Sequence, residues 1–399
     1  VGATGPVINL LVNLFIGLSV GAGVATAHGI GAGRDEDVRR VVHTSVPLAV
    51  ICGIILTVIG IFGAEYILRL MDTPEDALKL STSYMRIYFC GITASMLYNF
   101  GSAILRAVGD TRSPLIYLTS AGILNVILNL IFVILLKMDV SGVALATTIS
   151  QVLSAILIIR TLMKRDDSCK LKLNEIKIYK QQLLRILQVG FPAGIQGSLF
   201  SISNVIIQSS VNSFGLEVMS GNAAAQNIEG FVYTSMNSVS QTALNFTGQN
   251  HGARKYDRIK KIMIICLSSV FITGLVLGMM AFLFSKPLLS IYISDSDEAI
   301  KYGVIRIMYI CIPYFLCGLM DVATGMLRGI GSSITPLIIT VAGVCGFRIV
   351  WIYTIFQKFH KLETLYISYT ISWAMTFLIE LIIFLILLNY QKKKQNKSE

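Results

Sequence analysis

Long apolar stretches alternate with short polar connections along the whole chain. A stretch of about 20 residues is long enough for a helix to cross a bilayer. Lipid offers the backbone no hydrogen bonds, so each crossing segment must satisfy its own polar groups, and stretches of this length do so as helices. The pattern predicts eleven such helices, at about 3–30, 42–68, 78–106, 114–137, 140–162, 184–212, 221–249, 259–285, 299–328, 334–357 and 362–390.

The longest polar stretch covers 163–185 and separates the first five of these helices from the other six. This division predicts four regions along the chain. They are an N-terminal lobe over 1–162, a linker over 163–183, a C-terminal lobe over 184–390 and a basic tail over 391–399.

The two lobes repeat each other in sequence. LRAVGDTRSPLI at 105–116 returns as LRGIGSSITPLI at 327–338, and GAGRDEDVRR at 31–40 aligns with GARKYDRIKK at 252–261. The offset is 222 residues in one pair and 221 in the other, and such a nearly constant offset indicates duplication. Six helices separate the members of each pair, so both members lie on one membrane face, as in parallel repeats.

The register of the repeat also predicts a missing helix. Val1 aligns with Asn222, so the helix at 184–212 has no counterpart in the first half. We expect about 40 residues, including a transmembrane helix, ahead of Val1. The predicted fold class is therefore an all-α membrane protein of two parallel-repeat six-helix bundles, with eleven helices present and the first missing.

Composition and charge support a membrane protein and indicate its orientation. Hydrophobic residues make up 54% of the chain and charged residues 14%, whereas a soluble domain has about 25% charged residues. The net charge of +11 comes from short Lys and Arg clusters between apolar stretches, which does not favour nucleic-acid binding. Alternate connections hold 22 Lys and Arg against seven in the others, so the linker and C-terminus are expected in the cytoplasm.

Several motifs together resemble the multidrug and toxic compound extrusion (MATE) family. They are the two LRxxGxxxxPLI segments, LNVILNLIFV at 124–133, GVALATTIS at 142–150 and FTGQNHGAR at 246–254, and the resemblance extends over essentially all 399 residues. The family expels organic, often cationic, compounds in exchange for H⁺ or Na⁺. The resemblance implies a multi-pass protein of the plasma membrane, not an enzyme, with no cofactor besides the coupling ion.

The resemblance also implies where a cation or proton binds. Many relatives use an Asp on the first helix, an Asn and an Asp one turn apart on the fifth, and a Thr on the sixth. Asn125 holds the Asn position here, Asn129 stands where the Asp is expected, and Thr147 matches the Thr. Other relatives use a Glu and an Asp in the C-terminal half, where Ser201 takes roughly the Glu position and Asp321 lies about one turn from the Asp.

Ionisable residues inside predicted spans are candidates for function because they are costly in lipid. Glu229 and Arg348 lie at similar depth and are expected to pair. The pair is a structural contact, a proton-sensitive latch or, through Glu229, a carboxylate that binds substrate. Asp321 is a candidate for coupling or substrate contact, with a structural hydrogen bond as the alternative. Glu380 is expected near lipid headgroups. Arg86 and Arg306 match across the repeat and are expected to extend toward headgroups.

Polar amides and soft apolar side chains within the spans are candidates for a substrate cavity. The alternative for each is a hydrogen bond between helices or ordinary packing. The cysteines and histidines lack metal-ligand spacing, so no metal site is predicted. The predicted cavity residues are Asn99, Gln208, Asn212, Asn227, Phe231, Tyr233, Met236 and Arg348.

The function predicted from these observations is a cation-coupled antiporter that exports organic compounds by alternating access of two lobes. Its partners are small organic substrates and the bilayer, with no nucleic acid, and the protein is expected to be monomeric. A lipid-linked oligosaccharide flippase of the same superfamily is the alternative, although such proteins have more spans and a strongly cationic cavity. An intramembrane enzyme is the alternative from another class, and its Ser/His, paired Asp or His-cluster pattern is not found in the spans.

Overall fold

The computed structural model describes residues 5–70, 75–293 and 296–396. All regular structure in these ranges is helical, with no strand. The chain divides into two compact units, Val1–Ser198 and Leu199–Glu399, called here the N-terminal and C-terminal units.

The N-terminal unit contains six helices and the first part of a seventh. The pair α3 and α4 is bent by 46° at Gly91, and the two helices together are long and apolar enough for one span. Helix α5 continues into a π-helical segment, Leu130–Leu135. The helices are α1 Gly5–Gly31, α2 Asp35–Leu70, α3 Glu75–Cys90, α4 Ile92–Ala107, α5 Arg112–Asn129, α6 Asp139–Lys164 and α7 Lys180–Asn212.

The C-terminal unit contains the rest of α7 and eight further helices. A short 3₁₀ turn, Ile312–Tyr314, joins α11 to α12, and π-helical segments follow α13 at Val341–Gly346 and α14 at Ile352–Phe356. The helices are α8 Leu216–Gly252, α9 Tyr256–Leu283, α10 Ser285–Ser290, α11 Asp297–Cys311, α12 Phe315–Gly329, α13 Ile334–Thr340, α14 Phe347–Trp351 and α15 Leu362–Asn396.

The helices confirm the predicted all-α membrane fold. Eight helices of the described ranges are long and apolar enough to cross a membrane, or nine with the bent pair α3–α4. Helices α7 and α8 have 33 and 37 residues and are also long enough to cross, but they are less apolar. Together these helices account for the eleven apolar stretches of the sequence.

The backbone repeats its turns at the spacing found in the sequence. Gly109 after α4 has φ +94° and Gly331 after α12 has φ +86°, the left-handed geometry that ends a helix. Gly33 and Arg254 likewise both have positive φ, +64° and +55°. The repeated LRxxGxxxxPLI motif is therefore a helix end, a left-handed turn and the start of the next helix in both units.

The predicted linker is folded against the N-terminal unit. Leu171 donates its backbone N–H to the carbonyl of Leu162 at 2.9 Å, and Cys169 and Leu171 are buried against Val42 and Ile158. His43 of α2 lies within 3.2 Å of the backbone of Lys172. Burial, with a smaller contribution from the charge of Asp167, raises the pKa of the Cys169 thiol to about 12.

Glycines bring α1 and the first part of α7 into backbone contact. A Cβ added at Gly194 would lie 2.0 Å from the carbonyl oxygen of Leu14, and one at Gly21 would lie 2.1 Å from that of Ile186. Helices in lipid associate largely through such close packing of small residues. The N-terminal half of α7 is thereby fixed to the N-terminal unit.

Candidate functional site

Helix α8 brings together most of the candidate residues of the C-terminal unit, and its two faces differ. The face that packs against α9, α11 and α12 is buried and includes Ile228, Glu229, Val232 and Met236. The opposite face is exposed, although it lies near the middle of a helix long enough to cross a membrane. That exposed face carries Asn227, Phe231, Thr234, Ser238 and Thr242.

Hydroxyl groups on the exposed face of α8 donate to their own helix. Thr234 donates to the carbonyl of Gly230 at 2.8 Å, and Thr242 donates to that of Ser238 at 2.9 Å. Ser238 donates to the carbonyl of Thr234 at 3.1 Å. Each hydroxyl has one proton to donate, so its remaining capacity is that of an acceptor. The face therefore offers acceptor oxygens to whatever lies against it.

Two aromatic rings extend this face. Phe231 is 72% exposed and Tyr233 is 38% exposed. Aromatic faces attract cations through their quadrupole. Acceptor oxygens and aromatic faces together suit a ligand that carries positive charge or hydrogen-bond donors.

On the buried face, Glu229 pairs with Arg306 of α11. The Arg306 guanidinium donates to both carboxylate oxygens, at 2.7 and 2.8 Å, and both side chains are buried. The prediction that Glu229 pairs with Arg348 is therefore wrong, and so is the prediction that Arg306 extends toward headgroups. Arg86, which matches Arg306 in the repeat, is half exposed and donates to the carbonyl of Ile61 at 3.1 Å.

A polar network extends from this ion pair to α7. Arg306 donates to the side-chain oxygen of Asn222 at 2.6 Å, and Asn222 donates to Gln208 at 3.0 Å. Gln208 in turn donates to Asn212 at 2.8 Å. The network links α7, α8 and α11, so two of the predicted cavity residues take part in hydrogen bonds between or within helices.

Arg348 of α14 is buried among aromatic rings, with 1% of its surface exposed. Its guanidinium carbon lies 4.0 Å from the ring centre of Tyr369 and 5.5 Å from that of Trp373. Its Nε donates to Ser372 at 2.9 Å. Aromatic faces and a hydroxyl thus stabilise this charge, and its burial corrects the prediction that Arg348 lines an open cavity.

Asp321 of α12 lies against α8. Its carboxylate is half-buried and interacts with the Tyr233 hydroxyl and the Arg328 guanidinium. Its backbone carbonyl accepts a hydrogen bond from Ser240 at 2.7 Å. Asp321 thus interacts with one of the side chains that α8 exposes, as a coupling or substrate contact requires.

Met236 belongs to the core rather than to the exposed face. It is fully buried, and a Cβ added at Gly274 would lie 2.7 Å from its sulfur. The sequence places Met236 near Phe231 and Tyr233 along α8 but does not give the side of the helix. Its predicted place in the cavity lining is corrected accordingly.

Glu380 of α15 is fully buried rather than close to headgroups. Its carboxylate accepts hydrogen bonds from Thr324 at 2.8 Å and from Thr340 at 2.9 Å. The prediction failed because Glu380 lies near the middle of α15, which begins at Leu362 and ends at Asn396.

The N-terminal unit brings the predicted Asn and Thr residues together. Asn125 donates to the Thr147 hydroxyl at 3.3 Å, and Asn129 donates to Asn125 at 3.0 Å. Asn129 is the last residue of α5 before the π-helical segment. These three side chains contain no carboxylate, so they can contact a cation only through neutral oxygens. Asn99 lies on α4, half-buried, and donates to the carbonyl of Ser95 at 2.8 Å.

Comparison with known proteins identifies relatives for nearly the whole chain. The MatE family model matches residues 1–131 and 192–354. The chain is 26% identical over 384 residues to "Probable multidrug resistance protein YoeA" of Bacillus subtilis, covering 94% of this chain and 82% of the relative. It is 24% identical to "FAD transporter" of Shewanella oneidensis, covering 82% of this chain and 73% of the relative.

Solved structures share the fold. An outward-facing multidrug resistance MATE family transporter of the MOP superfamily superposes with a TM-score of 0.91 at 23% identity. The match covers 98% of this chain and 88% of that one.

Proposed function

Because the chain belongs to the MATE family of multi-pass membrane efflux transporters, we propose that it exports organic cations in exchange for an inward-moving H⁺ or Na⁺. The relatives carry different names, and "FAD transporter" stands beside multidrug resistance proteins, so family membership does not fix the substrate. The substrate class is inferred from the side chains of this chain.

The exposed polar face of α8 is the observation that supports this function. Asn227, Thr234 and Ser238 lie mid-helix, where a lipid-facing surface would be apolar. A polar face at that depth is tolerated where it lines a water-filled cavity. The face therefore belongs to an aqueous path for substrate.

The chemistry of that path favours a cationic or donor-rich substrate. The hydroxyls on α8 present acceptor oxygens, Phe231 and Tyr233 present aromatic faces, and Asp321 supplies a negative charge beside Tyr233. The buried Arg306 is neutralised by Glu229, and Arg348 is enclosed by aromatic rings. Neither arginine offers its charge to an anionic lipid-linked sugar, so the structure does not favour a flippase.

Three groups of residues are candidates for ion coupling. Asp321 is half-buried beside the polar face of α8, and Glu229 is held by Arg306. Asn125, Asn129 and Thr147 form the hydrogen-bonded group of the N-terminal unit. Of these, Asp321 combines a carboxylate with access to the exposed side of α8, so we assign it the contact at which the substrate competes with the coupling ion.

Alternating access of the two units is the proposed mechanism. One-for-one exchange of a monovalent organic cation for H⁺ or Na⁺ moves no net charge, so the pH or Na⁺ gradient drives it. A second inward ion per substrate would move one net positive charge. At about 100 mV that charge would add about 2.3 kcal/mol, which supports roughly a further 50-fold substrate gradient.

Transport by variants of the α8 face tests this function. Thr234→Leu with Ser238→Leu removes two acceptor hydroxyls and should lower export of a fluorescent organic cation at least about tenfold, a barrier change of about 1.4 kcal/mol. Ile264→Leu, at a residue of α9 that is 61% exposed, is the matched control and should transport normally. Unchanged export by the α8 variant at equal protein level would overturn the assignment.

A further inference from the structure

Glu380 lies in a polar cluster formed where α15 packs against α12 and α13. Glu380, Thr340 and Thr376 are fully buried, and Thr324 is 6% exposed. Thr324 donates to both carboxylate oxygens, at 2.8 and 3.0 Å, and Thr340 donates to one of them at 2.9 Å. Within the described ranges, Glu229–Arg306 is the one ion pair with both side chains buried. Glu380 forms no such ion pair there, and its hydrogen bonds come from hydroxyl groups.

Two hydroxyl donors stabilise a buried carboxylate less than a guanidinium does. Buried charges are normally paired, and an unpaired carboxyl in low dielectric tends to take up a proton instead. A threonine hydroxyl can donate or accept after rotation, so the same cluster can hold a charged or a neutral Glu380. The hydroxyl groups around Glu380 can therefore accommodate either protonation state of its carboxyl group.

Thr376 adds an acceptor to this cluster. It lies one turn before Glu380 on the same face of α15. Its buried hydroxyl oxygen has no hydrogen-bond partner among the residues that the structure describes. A Cβ added at Gly343, in the π-helical segment after α13, would lie 2.4 Å from that oxygen. The Thr376 hydroxyl is therefore a further buried polar group on the face of α15 that carries Glu380.

Two charged groups interact with Glu380 from the neighbouring helix. Asp321 and Arg328, both on α12, interact with it electrostatically, and Arg328 interacts with both carboxyl groups. One guanidinium cannot neutralise two carboxylates. When Glu380 is ionised, the group of three carries a net negative charge, and when Glu380 is protonated, that charge disappears.

We propose that Glu380 is a proton-carrying site of the C-terminal unit, and that its proton competes with an organic cation held near Asp321. The competition with substrate rests on the proposed function, whereas the protonation of Glu380 does not. The proton comes from water and returns to water, and no bond is oxidised or reduced. A protonated Glu380 leaves Arg328 to neutralise Asp321 and so releases the cation, whereas an ionised Glu380 restores the negative charge that attracts it.

The protonation of Glu380 is tested without transport, through the thermal stability of the whole chain in detergent. The melting temperature of the wild type should fall by about 3 °C or more between about pH 5 and pH 9. Glu380→Gln mimics the neutral side chain, so this fall should be absent from the variant. The unfolded chain leaves Glu380 in water, so a folded preference for the protonated form appears as stability that falls with rising pH. Glu298→Gln, the same change at an exposed carboxylate of α11, should keep the wild-type slope.

Infrared spectroscopy of the wild-type protein provides a second measurement that needs no Glu380 variant. A protonated buried carboxyl has its own carbonyl band, which should disappear as the pH rises and shift in Thr324→Val. Melting temperatures of wild type and Glu380→Gln that depend on pH in the same way would overturn the proposal. So would the absence of a protonated carboxyl band near neutral pH, where exposed carboxyl groups are ionised.

Transport then tests the competition. Glu380→Gln should lose the acceleration of organic-cation export by a pH gradient, whereas Glu380→Asp should retain part of it. A response to pH that persists in Glu380→Gln, or a response to Na⁺ alone in the wild type, would contradict the competition. If the wild type exported nothing, the proposed function would fail while the stability and infrared results still decided the protonation of Glu380.

Discussion

At the scale of the residue, each buried charge of the C-terminal unit is stabilised by a different kind of partner. Arg306 is neutralised by a bidentate carboxylate, Arg348 is stabilised by aromatic rings, and Glu380 is held by two hydroxyls. The sequence correctly places Glu229 inside its helix but assigns it the wrong partner. Position along a helix axis can be counted from the sequence, whereas the rotation of one helix against another depends on packing that the sequence pattern does not give.

The Glu229–Arg306 pair predicts a specific set of stabilities. Glu229→Gln or Arg306→Met alone should each destabilise the protein by about 3–5 kcal/mol, because each leaves the other group buried and unpaired. The double variant should lose less than the sum of the two. Thermal and denaturant unfolding in detergent measures all four proteins.

Arg348 provides the control for this cycle. It contacts Tyr369 and Ser372 rather than a carboxylate, and among the residues that the structure describes it shares only the Tyr369 ring with Arg306. Glu229→Gln and Arg348→Met should therefore couple much less than Glu229→Gln and Arg306→Met. The structure would be contradicted if the losses of unfolding free energy were additive for Glu229 and Arg306 but not for Glu229 and Arg348.

At the scale of the element, apolar length predicts helices well and polar composition predicts their connections poorly. All eleven stretches correspond to helices or joined helix pairs. The stretch over 163–185 is polar and was expected to be a simple linker, yet Cys169 and Leu171 are buried against α2 and α6. Two apolar side chains in a polar stretch give too weak a pattern to predict such docking.

The docked linker predicts an unreactive cysteine. Alkylation needs the thiolate, and a pKa of about 12 in place of 9.0 lowers the thiolate fraction about 1,000-fold at neutral pH. In a chain that retains Cys169 alone, maleimide labelling should be slow in detergent and rapid after denaturation.

The matched control carries a single cysteine at a neighbouring exposed position. Asp166, whose side chain is 95% exposed, is changed to cysteine with Cys169 removed, and this chain should label at once. Leu171→Ala should accelerate the labelling of Cys169 because it weakens the contact with α2 and α6. Equal rates at the two positions in the native protein would show that the linker is not docked.

At the scale of the whole molecule, the duplicated sequence produces duplicated turns. Gly109 and Gly331 end corresponding helices with the same handedness, and π-helical segments occur after α5 and after α14. The MatE match and the shared fold confirm the family that the sequence motifs resemble. The candidate site was predicted less completely, since helix rotation decides which residues of α8 face outward.

Charge asymmetry predicts the orientation of the chain in the membrane. The connections on one side hold 22 Lys and Arg and those on the other side hold seven, so the richer side should be cytoplasmic. A fluorescent protein fused after Asn396 should fold in the cytoplasm, whereas phosphatase inserted over 357–361 should be active outside the cell. Phosphatase activity from the C-terminal fusion would reverse the orientation.

Transport in proteoliposomes under separate pH and Na⁺ gradients tests the central claim most directly, that this chain couples the export of an organic cation to an inward ion. A fluorescent organic cation is supplied on the cytoplasmic side, and each gradient is imposed while the other is held at zero. The account predicts accumulation beyond equilibrium under the pH gradient, and loss of that accumulation in Asp321→Asn. Simple equilibration of the cation under both gradients would contradict it.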